Sequence, residues 1–137
     1  MSENNNNSLK RLRIKQFIPG IAWFLLVTTL LFTPGNDLPQ IDFIGELNLD
    51  KLIHTTLFGI LTTLFCLPFK KSTITREERI KWFIRIAIAT SVWGITTEII
   101  QQNFIPNRSF EWMDWGADSF GAICGYLFSR KFFTKMS

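Results

Sequence analysis

Within the apolar stretches of this 137-residue chain stand one histidine and a few carboxylates, and these side chains set the chemistry open to it. His54 follows Asp50 by four residues, so a helix puts both on one face. Gly94, Glu98 and Gln101 fall at i, i+4 and i+7, and Asp114, Asp118, Gly121 and Gly125 at i, i+4, i+7 and i+11, giving two more one-sided stripes. Arg108 stands between those two stripes, within reach of Glu98, Asp114 and Asp118, and Lys51 adjoins Asp50. A charge a turn or more inside an apolar helix costs about 2.5–3.5 kcal/mol on insertion scales unless it is paired or lines a wet cavity. Glu98 and Asp118 are so placed, with Arg108, Lys51 and His54 as the available partners. The expectation is a partly buried polar cavity in which Asp50, Lys51, His54, Glu98, Gln101, Arg108, Asp114 and Asp118 bind a ligand. Gly94, Gly121 and Gly125 would pack the helices around it.

Two chemistries fit that set. Binding would use the planar donors of Arg108 on a phosphate or carboxylate, with Glu98, Gln101 and Asp114 accepting from hydroxyl or amine groups. Catalysis would use His54, oriented by Asp50, as general base and Glu98 or Asp118 as acid. Those three are the catalytic candidates, and no nucleophile elbow, phosphate loop or metal-ligand spacing accompanies them, so binding is favoured over turnover. A single histidine excludes paired-histidine haem or zinc sites, and Cys66 and Cys124 lie in apolar stretches as packing residues. No metal and no cofactor is expected. Plainer roles exist too: Asp50 can cap a helix, and Glu98 with Arg108 can clamp a helix to its loop. Asn107, Arg108 and Ser109 match a glycosylation acceptor, which a tight turn beside a membrane makes a coincidence.

The elements that must position these residues are four apolar helices, expected at about 17–33, 51–68, 79–102 and 110–131. Hydrophobic residues make up 47% and aromatics 15%, a surplus that lipid buries more readily than a core of one small domain. Of the fifteen Lys and Arg, all but Lys51 and Arg108 fall before the first stretch, between the second and third, or after the fourth. The acids do the reverse, with only Glu3, Glu77 and Glu78 among the basic groups. Lys and Arg near span ends stay cytoplasmic, so both termini and the middle loop are expected inside and the polar cavity outside. The class is thus all-α: a polytopic membrane protein with four transmembrane helices. Residues 1–15 form a basic tail, 16–131 the membrane domain and 132–137 a second tail. The first stretch ends in Thr33-Pro34-Gly35 without a small-x-small site, and so reads as an uncleaved helix. Basic residues clustered at span ends face lipid headgroups, and no nucleic-acid partner is expected.

The order of motifs is distinctive as a whole. Asp50-Lys51-Leu52-Ile53-His54, then Gly94-Ile95-Thr96-Thr97-Glu98-Ile99-Ile100-Gln101, then Pro106-Asn107-Arg108-Ser109-Phe110-Glu111-Trp112-Met113-Asp114, then Ala117-Asp118-Ser119-Phe120-Gly121-Ala122 resembles the VanZ-like family of small bacterial membrane proteins. The likeness covers residues 31 to 128. Two positions depart from it: Asp118 where asparagine is frequent, and Phe58 where tyrosine is common. The resemblance implies a multi-pass protein of the bacterial inner membrane and cell envelope, from a family whose namesake is associated with teicoplanin resistance. On that footing the partners are membrane lipids and a lipid headgroup, lipid-linked wall precursor or glycopeptide antibiotic at the outer face. An oligomer is compatible with it. An enzyme acting on a lipid-linked substrate is the alternative, and four short helices are too few for an alternating-access transporter.

Overall fold

The computed structural model describes residues 14–32, 49–72, 74–105 and 112–134, with Leu49 and Asp50 described in the backbone alone. Residues 1–13, 33–48, 73, 106–111 (Arg108, Ser109 and Glu111 among them) and 135–137 lie outside the described residues. What is described is all-helical. A single 3-10 turn, Ile14–Phe17, leads into α1 (Ile18–Phe32); α2 is Leu49–Cys66, followed by a 3-10 turn Leu67–Lys71; α3 is Arg76–Phe104 and α4 is Trp112–Phe132.

Local chemistry explains these limits. Pro19 stands in the first turn of α1, where no backbone donor is needed. Pro68 ends α2 and sits in the 3-10 turn after it. The α3 helix begins three residues before the expected Arg79, because the Thr75 hydroxyl accepts from the Glu78 backbone N–H at 3.2 Å. Thr75 and Glu78 have the spacing of a capping box, and Glu77 and Glu78 favour the helix's positive end. The α2 helix begins at Leu49, so Asp50 stands within its first turn and not at the capping position expected of it.

The helices run alternately up and down. Phe17 lies against Phe65 and Phe69, joining the start of α1 to the end of α2, while the Gln101 amide donates to the Leu31 carbonyl, joining the far ends of α1 and α3. Trp23 Nε1 donates to the Leu57 carbonyl at 3.0 Å. The α2 and α4 helices therefore lie parallel, with α3 antiparallel to both. Their contact is backbone to backbone. A Cβ on Gly121 would run into the Thr55 carbonyl oxygen, and one on Gly125 would come within 2.7 Å of the Gly59 carbonyl oxygen. Gly121 and Gly125 were the expected packing residues, and Gly59 is their partner across the seam.

Polarity is inverted relative to a water-soluble bundle. Arg79, Thr97, Glu98, Gln101, Asp118 and Ser129 are buried, while Leu25, Leu52, Ile88, Val92, Phe120, Ile123 and Leu127 are exposed. Such an apolar girdle is the surface of a helix bundle in hydrocarbon. Three stretches are long and apolar enough to cross a membrane: Ile14–Phe32, Lys51–Lys71 and Arg76–Phe104. The α4 helix is as long but carries Asp114, Asp118, Arg130 and Lys131. At the end of the bundle where α3 starts, Phe69, Phe83 and Phe133 pack with Cys66 and Ile74. Toward α1 and the middle, Val27, Leu31, Phe58 and Leu61 form a second cluster bordered by Trp23 and Trp93.

Candidate functional site

At the opposite end, the stripes read from the sequence meet. The first turns of α2 and α4 lie side by side, and the Lys51 ammonium forms an ion pair with Asp114. About one helical turn deeper, roughly 5 Å along the axis, His54 Nδ1 lies 2.7 Å from Asp118 Oδ1. Glu98 comes in from α3. One ligand-capable atom from each of His54, Glu98 and Asp118 lies within 4.8 Å of the other two. The side-chain exposures fall with depth, from 22% and 17% for Lys51 and Asp114 to 11% for His54 and zero for Asp118, and Glu98 is fully buried. The Lys51–Asp114 pair is the more exposed end of the group.

The close approach of three backbones makes this possible. Gly94 is placed so that a Cβ there would lie 3.0 Å from Asp118 Oδ2 and 3.0 Å from Asp118 Cβ. The missing side chain lets α3 lie against the carboxylate. The seam of Gly59, Gly121 and Gly125 fixes α2 against α4 just below. Thr55 Oγ1 donates to the Ala117 carbonyl at 3.2 Å. On the third side, Trp115 Nε1 donates to the Ser91 carbonyl at 3.0 Å, and the Ser91 and Ser119 hydroxyls bond at 2.7 Å. Asp118 Oδ2 is buried and accepts no hydrogen bond among the described residues.

No family model, no curated protein and no solved structure matches this chain.

Of the residues expected at the site, Lys51, His54, Glu98, Asp114 and Asp118 are brought together, and Gln101 is buried one turn from Glu98 with its amide on α1. Arg108 and the Asp50 side chain lie outside the described residues. Two pairings are seen among the described residues: His54 with Asp118 of α4, one of the partnerships the sequence offered, and Lys51 with Asp114. Both depend on the register of α2 against α4, which no local spacing encodes.

A second buried ionisable centre was not anticipated. Arg79, assigned by sequence to the basic end of α3, is 1% exposed. Its Nη1 donates to the Phe133 carbonyl at 3.2 Å, and its Nη2 to the Ser72 carbonyl at 2.9 Å and the Ile74 carbonyl at 3.4 Å. The guanidinium closes the end of α4 onto the α2–α3 connection, a favourable place for a cation at a helix C-terminus. Arg85 is the ordinary case nearby, lying 4.9 Å over the Trp82 ring.

Proposed function

We propose that this chain is a four-span membrane protein of VanZ type in the bacterial inner membrane, with both termini cytoplasmic. Its site would bind the polar head of an envelope ligand at the outer face. The positive-inside asymmetry supports the orientation. The outward-facing Phe120, Ile123 and Leu127 support α4 as the fourth span. One observation carries the binding role: Lys51, His54, Glu98, Asp114 and Asp118 converge from three helices inside an apolar girdle. Ionisable groups within a bundle are retained against their insertion cost where they act on a ligand, an ion or a proton. The ligand class is a lipid headgroup, a lipid-linked wall precursor or a glycopeptide antibiotic, whose charges and hydroxyls the Lys51–Asp114 pair can match.

The test is to purify the protein from bacterial membranes, identify co-purifying lipids by mass spectrometry, and measure teicoplanin susceptibility in cells that express it. The reading expects a bound envelope lipid, or a susceptibility change, that is lost in Lys51→Met and Glu98→Gln variants that still insert. Unaltered susceptibility together with lipids at bulk membrane proportions would remove it.

The His54–Asp118 hydrogen bond favours one second reading, an enzyme acting on a lipid-linked substrate. A carboxylate on Nδ1–H leaves Nε2 with the lone pair of a general base. Turnover of labelled envelope lipids by the pure protein, abolished in His54→Ala, would favour it over simple binding.

A further inference from the structure

Three buried metal-capable side chains from three helices meet at the head of the site. We propose that His54, Glu98 and Asp118 form a binding site for a divalent transition-metal ion, Zn²⁺ foremost. This deepens the proposed function and rests on it for access from the outer face, but not for the donor set.

Three helices each contribute one donor, all of them buried, with one ligand atom of each within 4.8 Å of the others. Around a tetrahedral Zn²⁺ with bonds of about 2.1 Å, donors lie roughly 3.4 Å apart, so side-chain rotation has at most about 1.4 Å of separation to close.

A second observation points the same way. Asp118 spends Oδ1 on His54, yet its Oδ2 is wholly buried without a hydrogen bond among the described residues. Buried carboxylate oxygens are rarely left so. That oxygen faces Gly94, where the absent Cβ preserves the space around it.

Donor chemistry completes the argument. One imidazole with two carboxylates is a mixed nitrogen and oxygen set that suits Zn²⁺, whereas Mg²⁺ and Ca²⁺ prefer oxygen alone. Loading the ion on Nδ1 moves the imidazole proton from Nδ1 to Nε2, so the ligand stays neutral and Asp118 Oδ1 exchanges its hydrogen bond for the metal.

The experiment uses full-length protein in detergent, purified without a histidine tag, stripped with a chelator and titrated with Zn²⁺ alone. Because the chain has one histidine, its imidazole nitrogen resonances report on His54 without ambiguity. The expected result is one Zn²⁺ per chain, a shifted imidazole signal, and binding weakened at least about tenfold in Asp118→Asn and Glu98→Gln. A Cys124→Ser variant should bind as the parent does. Absence of bound Zn²⁺, or an imidazole signal that Zn²⁺ does not move, overturns the inference even if the variants fail to insert. Zn²⁺ binding retained in both variants also overturns it. Zn²⁺ binding without any enriched lipid or susceptibility change would leave this inference standing and remove the proposed function. Lipid enrichment without Zn²⁺ binding would do the reverse.

Discussion

Arg79 at the basic end and the His54, Glu98 and Asp118 group at the other are both buried, but they are served differently. The Arg79 guanidinium donates to three backbone carbonyls, from Ser72, Ile74 and Phe133, so the chain's own ends and turns solvate its charge. At the far end, titratable groups face one another, and an oxygen of Asp118 accepts nothing among the described residues. The first centre completes the fold by satisfying carbonyls that a helix end leaves open. The second sets an imidazole and carboxylates from three helices against one another, which a bundle does not need in order to close its helix ends.

The most severe way to break that contrast is to part the helices that build the acidic centre. Gly121→Ala sets a methyl against the Thr55 carbonyl and the Gly59 N–H, backbone atoms that cannot turn aside. It should cost about 3 kcal/mol or more, the upper end of overpacking penalties, despite alanine's better helix propensity. Unfolding in a denaturing detergent titration would measure it. Next comes Arg79→Met, which strands carbonyls of Ser72, Ile74 and Phe133 and should destabilise by about 2 kcal/mol by the same titration. A loss below a few tenths would show that lipid or water serves those carbonyls equally well.

Asp118→Asn sharpens the contrast, because it should leave stability within about 1 kcal/mol of the parent or raise it. An amide oxygen can still accept from His54, and a buried charge is removed. A loss as large as that of Arg79→Met would instead make the His54 pair structural. The smallest effect is expected for Lys51→Met. The pair with Asp114 is part-exposed, so stability should change by at most about 1 kcal/mol. Ligand or lipid binding should still fall.

The helices could be read from the chain because their apolar runs are long and end in proline, glycine or charge. Glu98, His54 and Asp118 stood out for the same reason, as ionisable groups where apolar ones prevail. The partners could be read only as a set, with His54, Lys51 and Arg108 offered to Glu98 and Asp118 without saying which meets which. A four-residue spacing joins His54 to Asp50 within a helix, while the His54–Asp118 contact requires knowing how far α4 is slid along α2. Arg79 was hidden by its company. Among Lys70, Lys71, Arg76, Lys81 and Arg85 it looks like one more headgroup contact, and only the return of Phe133 to the start of α3 encloses it. Gly59 does stand in a small-residue repeat, Thr55, Gly59 and Thr63, which two threonines disguise, and its role exists only against Gly121 and Gly125.

The seam of Gly59, Gly121 and Gly125 also acts as a detent. A slip of α4 by one turn would bring Asp114 opposite His54 and carry Asp118 down to the level of the fully buried Phe58, stranding an acid among rings. Sliding is thereby forbidden, and whatever occupies the far end must be accommodated by rotating side chains on a rigid pair of rods. Selectivity there should accordingly be steep with respect to the size of the guest.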